Sequence, residues 1–161
     1  MDSSDFYETL KKTGGYETPE GVPTYLRCRL PGGTTAAYYS NLFRIVMSGR
    51  RLAVRGLFSS QEWAEHSARI LGVIERCGGR INVSGAKNLP TGKEPSVFVA
   101  NHMSLAETFI LPGILLQFGP VAVVVKESLI RYPLFGPIMR VLDPVVVSRK
   151  DPRTDLKEML T

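Results

Sequence analysis

The sequence predicts an α/β fold, a mixed and mostly parallel sheet flanked by helices. Three observations carry this reading. Short apolar segments rich in β-branched residues recur at 81–85, 96–100, 121–126 and 144–148, the composition of buried strands. Helical periodicity fills much of the chain between and before them. The connections are short, as alternating strand and helix units require. The four strands are therefore expected to share one sheet.

Three segments are expected in order. Residues 1–35 hold Gly14, Gly15, Pro19, Pro23 and the run Pro31, Gly32, Gly33, which break regular structure. They read as a flexible N-terminal arm with at most a short helix over 6–12. Residues 36–79 read as a helical segment. Tyr39, Leu42, Phe43, Val46 and Met47 follow helical spacing across 36–58, and Arg44, Arg50, Arg51 and Arg55 add a basic component, with Gly49 a weak point. Such an aromatic and basic helix suits a membrane surface or packs on its own domain. Ser59 and Ser60 then start a helix striped by Trp63, Ile70, Leu71 and Ile74, with Gly78 and Gly79 ending it. His66 reads as an ordinary helix-surface residue. Residues 80–161 read as the α/β unit.

Within that unit, 91–95 is a polar loop. Its Gly92 and Lys93 do not form a phosphate loop, because Lys87 stands where the motif needs glycine. The strand at 96–100 leads into Asn101 and His102, and a helix over 108–117 follows. His102 thus sits at the carboxyl end of a strand, where open α/β sheets place ligands. On one continuous helix His102 and Glu107 would lie about 140° apart. They meet only if the chain turns between them. Ser104 supplies that turn, because Ser-Leu-Ala-Glu has the form of a capping box with Glu107 at its third helical position. A carboxylate there accepts from one imidazole nitrogen and leaves the other for a proton. The same two residues also suit a helix cap with no chemistry. After the strand at 121–126 the chain turns sharply at Tyr132, Pro133, Gly136 and Pro137, and Pro133 suits the first turn of a helix to about 142. The strand at 144–148 ends in Arg149, and a last helix starts after Asp151 and Pro152.

Bulk properties bound the partners. The chain has 161 residues, 43% of them hydrophobic, with a formal net charge of +5 and a pI near 9.4. One domain with a real core is expected, with an anionic partner. Cys28 and Cys77 make no metal-ligand pattern with His66 or His102, and no metal is expected. The acidic start carries no secretory signal, and no apolar run approaches the ~20 residues of a membrane span.

Asn-His-x-x-x-x-acid after a hydrophobic strand resembles the first motif of the glycerolipid acyltransferases, the lysophosphatidic acid acyltransferase family. The acid there is usually Asp; here it is Glu107. Gly-x-x-Asn-Leu-Pro from Gly85 to Pro90 is similar to what precedes that motif. Lys-Glu-Ser-Leu-x-x-x-Pro-x-x-Gly from Lys126 to Gly136 resembles a segment near the family's active site. The strand ending in Arg149 resembles the second motif, whose Arg holds the acceptor's phosphate, although Asp143 stands at that motif's glycine. The resemblance runs from about Gly85 to the C-terminus. The third motif, Glu-Gly-Thr-Arg, and a fourth do not follow. The chain is thus expected as the N-terminal part of a glycerol-3-phosphate acyltransferase-like fold, incomplete at its C-terminus.

The resemblance implies transfer of a fatty acyl group from acyl-CoA or an acyl carrier protein thioester to a lysophospholipid hydroxyl, with no bound cofactor. His102 and Glu107 would be catalytic. Asn101, Ser104, Lys126 and Arg149 would bind substrate. The expected partners are lysophospholipid, acyl thioester and a membrane surface, at the inner face of a membrane on its cytoplasmic side. A non-catalytic, membrane-associated fragment is the alternative. A serine hydrolase using Ser104 lacks the Gly-x-Ser-x-Gly elbow, and nucleic-acid binding rests on net charge alone.

Overall fold

The computed structural model describes residues 3–90 and 95–160. Most of the expected loop at 91–95 lies outside the described residues.

Helix α1 (Ser3–Thr13) carries an acidic first turn and Lys11 and Lys12 in its last, which complement the helix dipole. Phe6 and Leu10, one turn apart, are buried on one face. They pack with Tyr16, Ala68, Leu71, Ala86 and Ile114, and Phe6 meets Tyr16 edge-on at 4.7 Å. Gly14, at φ 74, lets the chain reverse into β1 (Tyr16–Glu17). The segment after it is tied down by Thr18 N–H to the Ile81 carbonyl and Tyr25 N–H to the Arg76 carbonyl, each at 2.9 Å. The flexible arm expected over 1–35 is thus corrected. Its glycines and prolines bracket a helix whose apolar face is part of the core.

Helices α2 (Gly33–Val54) and α3 (Ser60–Arg76) pack on each other across the turn at 55–59. Leu42, Ile45, Val46 and Ala53 of α2 meet Trp63, Ile70 and Val73 of α3 in the second apolar cluster. Helix α2 runs straight through Gly49. A Cβ there would lie 3.1 Å from Phe58 and 3.3 Å from His66, so the glycine sets how closely the helices approach. Ser59 caps α3 by accepting from Glu62 N–H at 3.3 Å. At the other end Gly78 is left-handed, and the N–H groups of Gly78 and Gly79 return to the carbonyls of Glu75 and Ile74. That is the Schellman pattern.

Strand β2 (Asn82–Val83) pairs antiparallel with β1, Tyr16 opposite Val83. Helix α4 (Leu105–Leu115) lies against α3. A Cβ at Gly113 would sit 2.4 Å from the Ser67 Cβ, so glycine permits this approach. Strand β3 (Val124–Lys126) is followed by α5 (Glu127–Arg131) and α6 (Gly136–Val141), which return the chain to β4 (Val145–Val147). The two strands are parallel, with Val124 opposite Val145 and Lys126 opposite Val147. Helix α7 (Pro152–Leu160) follows.

The helix and strand content is that of a mixed α/β chain, but the single sheet is corrected. The described strands form two two-stranded sheets, β1 with β2 and β3 with β4. The segment 96–100 is no strand. Val97 and Val99 are 92% and 93% exposed. A strand exists only by its ladder, and none of the described strands pairs with this segment. For the same reason β3 and β4 are shorter than the apolar runs that hold them and only half covered, Val124 remaining exposed. The expected boundaries at 35 and 79 are bridged, since β1 pairs with β2 and α1 shares a core with α3 and α4.

Asp143 stands at φ 46. This is the left-handed region that favours glycine and that Asp tolerates better than most side chains. Asp143, at the position that the resemblance matches to a glycine, thus adopts backbone that glycine would favour.

Candidate active site

Ser104 takes the N-cap position of α4 in extended conformation, φ −148 and ψ 165. Its side chain accepts no cap hydrogen bond, which corrects that half of the expected capping box. Glu107 stands in the first turn, where the nearby backbone N–H groups of Ser104 and Met103 help to lower its pKa. The chain therefore leaves the helix axis at Ser104, and His102 folds back over the first turn. Its Nδ1–H donates to Glu107 Oε1 at 2.8 Å. The imidazole hydrogen bond, more than those two backbone donors, holds the Glu107 carboxyl below its ordinary range. Nδ1 is thereby committed as a donor, and Nε2 makes no hydrogen bond among the described residues. The His102 side chain is 76% exposed, so the ring is reached from solvent.

The pair borders a cavity of about 400 Å³. Ile45, Trp63, Ile70, Phe109, Val123 and Ile138 form much of its wall, so α2, α3, α4, α6 and the approach to β3 all contribute. Asn101 lines it beside His102. Lys126 and Arg149 do not; Lys126 ends β3 opposite Val147, and Arg149 follows two residues after β4 ends there. Neither forms an ion pair among the described residues.

His66 is a correction. It is buried, not on the helix surface. Nδ1–H donates to the Glu62 carbonyl at 2.7 Å, and Nε2 accepts from the Ser48 hydroxyl at 2.9 Å. The signal was in the sequence: His66 lies between Trp63 and Ile70 at the spacing of the apolar stripe itself. Ser67, also missed, is buried in the cavity wall with no partner for its hydroxyl among the described residues.

Burial lowers the His66 pKa from the ordinary 6.5, against the opposing pull of the Glu62 carbonyl. Between the lowered folded value and 6.5 the unfolded chain binds the extra proton. This contribution to stability is therefore full above 6.5 and declines as pH falls below it. Melting temperatures measured on either side of that pH should show the decline, and His66→Gln should flatten it. Equal acid slopes in the two proteins would contradict the assignment.

Comparison with known proteins adds three findings. A family model described as Acyltransferase matches residues 80–161. A 1-acyl-sn-glycerol-3-phosphate acyltransferase of Pseudomonas aeruginosa is 32% identical over 102 residues, 63% of this chain and 37% of that protein. The chloroplastic 1-acyl-sn-glycerol-3-phosphate acyltransferase of Arabidopsis thaliana is 30% identical over 77 residues, 48% of this chain and 21% of that protein. The chain thus spans well under half the length of either relative. No solved structure matches.

Proposed function

The chain belongs to the glycerolipid acyltransferase family, and we propose that it carries the base and acyl cavity of an enzyme that acylates lysophosphatidic acid or a related lysophospholipid. The observation that carries this is the His102–Glu107 hydrogen bond at the edge of an apolar cavity.

The donor is a fatty acyl thioester of CoA or of acyl carrier protein, a co-substrate. Its chain enters the cavity, where each methylene removed from water contributes about 0.8 kcal/mol. His102 Nε2 accepts the proton of the lysophospholipid hydroxyl as that oxygen attacks the thioester carbonyl. The new C–O bond forms, and the imidazolium shares its charge with Glu107. Collapse of the tetrahedral intermediate breaks the C–S bond, and the imidazolium returns the proton to the departing thiolate. Asn101 and the turn at Ser104 position the reacting groups. Lys126 and Arg149 hold the acceptor's phosphate by charge-assisted hydrogen bonds.

With labelled acyl thioester and lysophosphatidic acid, the full-length protein should form phosphatidic acid. Release of free fatty acid alone, independent of the acceptor, would contradict the reading.

We assign membrane contact, at the inner face of a membrane, to the outer side of α2 and the turn after it. Among the described residues no helix is long and apolar enough to cross a membrane. Tyr39, Phe43, Val54 and Leu57 are nonetheless exposed, with Arg44, Arg51 and Arg55 in the same stretch. Arg50 is partly engaged, its Nε donating to the Pro133 carbonyl at 3.0 Å. Binding to anionic vesicles should weaken with salt as the arginines are screened, and the aromatics should leave a salt-resistant remainder. Co-sedimentation showing no binding at low salt would sink this assignment.

A further inference from the structure

We propose that Asp155 is a positioning residue for Arg149, fixing the direction in which this cation meets the acceptor's phosphate. The proposal rests on the phosphate-binding role assigned to Arg149 above.

Strand β4 ends at Val147, and α7 begins at Pro152. In the turn between them Arg149 has φ 59, a conformation that residues with a Cβ rarely adopt unless the surroundings impose it. Asp155 imposes it. One of its carboxylate oxygens accepts from Ser148 N–H and the other from Arg149 N–H, each at 2.7 Å. Successive N–H groups in such a turn converge into a small anion-binding concavity, and here the anion is a side chain of the same chain. Asp155 is held in turn by α7: its own N–H reaches the Asp151 carbonyl at 3.0 Å, and its charge lies in the first turn, where the helix dipole favours it. Ser148 Oγ braces the turn again by accepting from Lys150 N–H at 3.1 Å.

Two consequences follow for the Arg149 side chain. Its direction is set by the left-handed turn and not by the pleat of β4, because alternation along a strand holds only in extended backbone. Its charge is also left for a ligand, since the nearby carboxylate is engaged by backbone donors and forms no ion pair with it. Lys126 stands opposite Val147, so its backbone lies at the end of the strand pair from which the turn carrying Arg149 departs. In Asp155→Asn one oxygen is replaced by an NH2 facing an N–H, and the fork is lost.

The test is a double-mutant cycle on the full-length enzyme, with KM for the lysophospholipid and for the thioester measured separately. Asp155→Asn should raise the acceptor KM roughly tenfold, with the thioester KM and kcat within about twofold. In an Arg149→Ala background the same substitution should add nothing, since both act through one group. Asp155→Glu keeps the charge, and it should give a smaller rise at an unchanged melting temperature, which covers the case in which Asp155→Asn fails to fold. A uniform loss in kcat and both KM values, or an equal penalty with and without Arg149, would make Asp155 a mere fold brace and overturn the proposal. An acceptor KM unmoved by Arg149→Ala would instead overturn the role of Arg149, and this proposal with it.

Discussion

Replacing His102 with Ala should lower acyl transfer by the full contribution of a positioned general base, about 10²–10⁴-fold in kcat. The expectation rests on geometry. Nδ1 is committed to Glu107 at 2.8 Å, and the ring is exposed beside the apolar cavity. The variant should still fold, because an exposed side chain in a turn without regular structure has little packing to lose. Binding of the acyl chain should survive as well, since the cavity wall comes from other elements. The measurement is steady-state turnover of the full-length protein with acyl thioester and lysophosphatidic acid. Turnover near that of the parent would remove His102 from the mechanism.

Glu107→Gln should reduce kcat more than it changes either KM. The amide oxygen can still accept from Nδ1–H, so the ring keeps its orientation. The charge is gone, and with it the stabilisation of the imidazolium that develops only as the proton moves. In the hydrolase triad the comparable change costs about 10⁴-fold, because the wrong tautomer is held. Here the glutamine oxygen can hold the right one, so a smaller loss, roughly 10–100-fold, is expected. Glu107→Asp should keep appreciable activity, since Asp is the usual acid in the motif that this stretch resembles. The opposite pattern is equally readable. Unchanged kcat in Glu107→Gln, with a lower melting temperature, would make Glu107 only a helix-start residue, favoured in the first turn by the helix dipole.

The sequence by itself determined the features whose physics closes within a few residues. Helix α3 starts after Ser59 and stops before Gly78 because caps and left-handed turns are local chemistry. His102 meets Glu107 for the same reason: the chain turns at Ser104, and both partners lie within one turn of it. The carboxyl ends of β3 and β4, with Lys126 and Arg149, were also legible from apolar runs that end in cations. Tertiary structure decided the rest. The segment 96–100 has a strand's composition but no ladder, and pairing depends on backbone far away in sequence. Helix α1 joined the core because Phe6 and Leu10 found α3 and α4, which no window around residue 10 contains. His66 was buried by Ser48 and Phe58 from α2 and the turn after it, and that burial lowers its pKa. The cavity beside His102 is likewise a product of packing, since its walls come from elements far apart in sequence that meet only in the folded chain. A cap is satisfied by its neighbours, whereas a ladder, a buried side chain and a cavity exist only through what comes to face them.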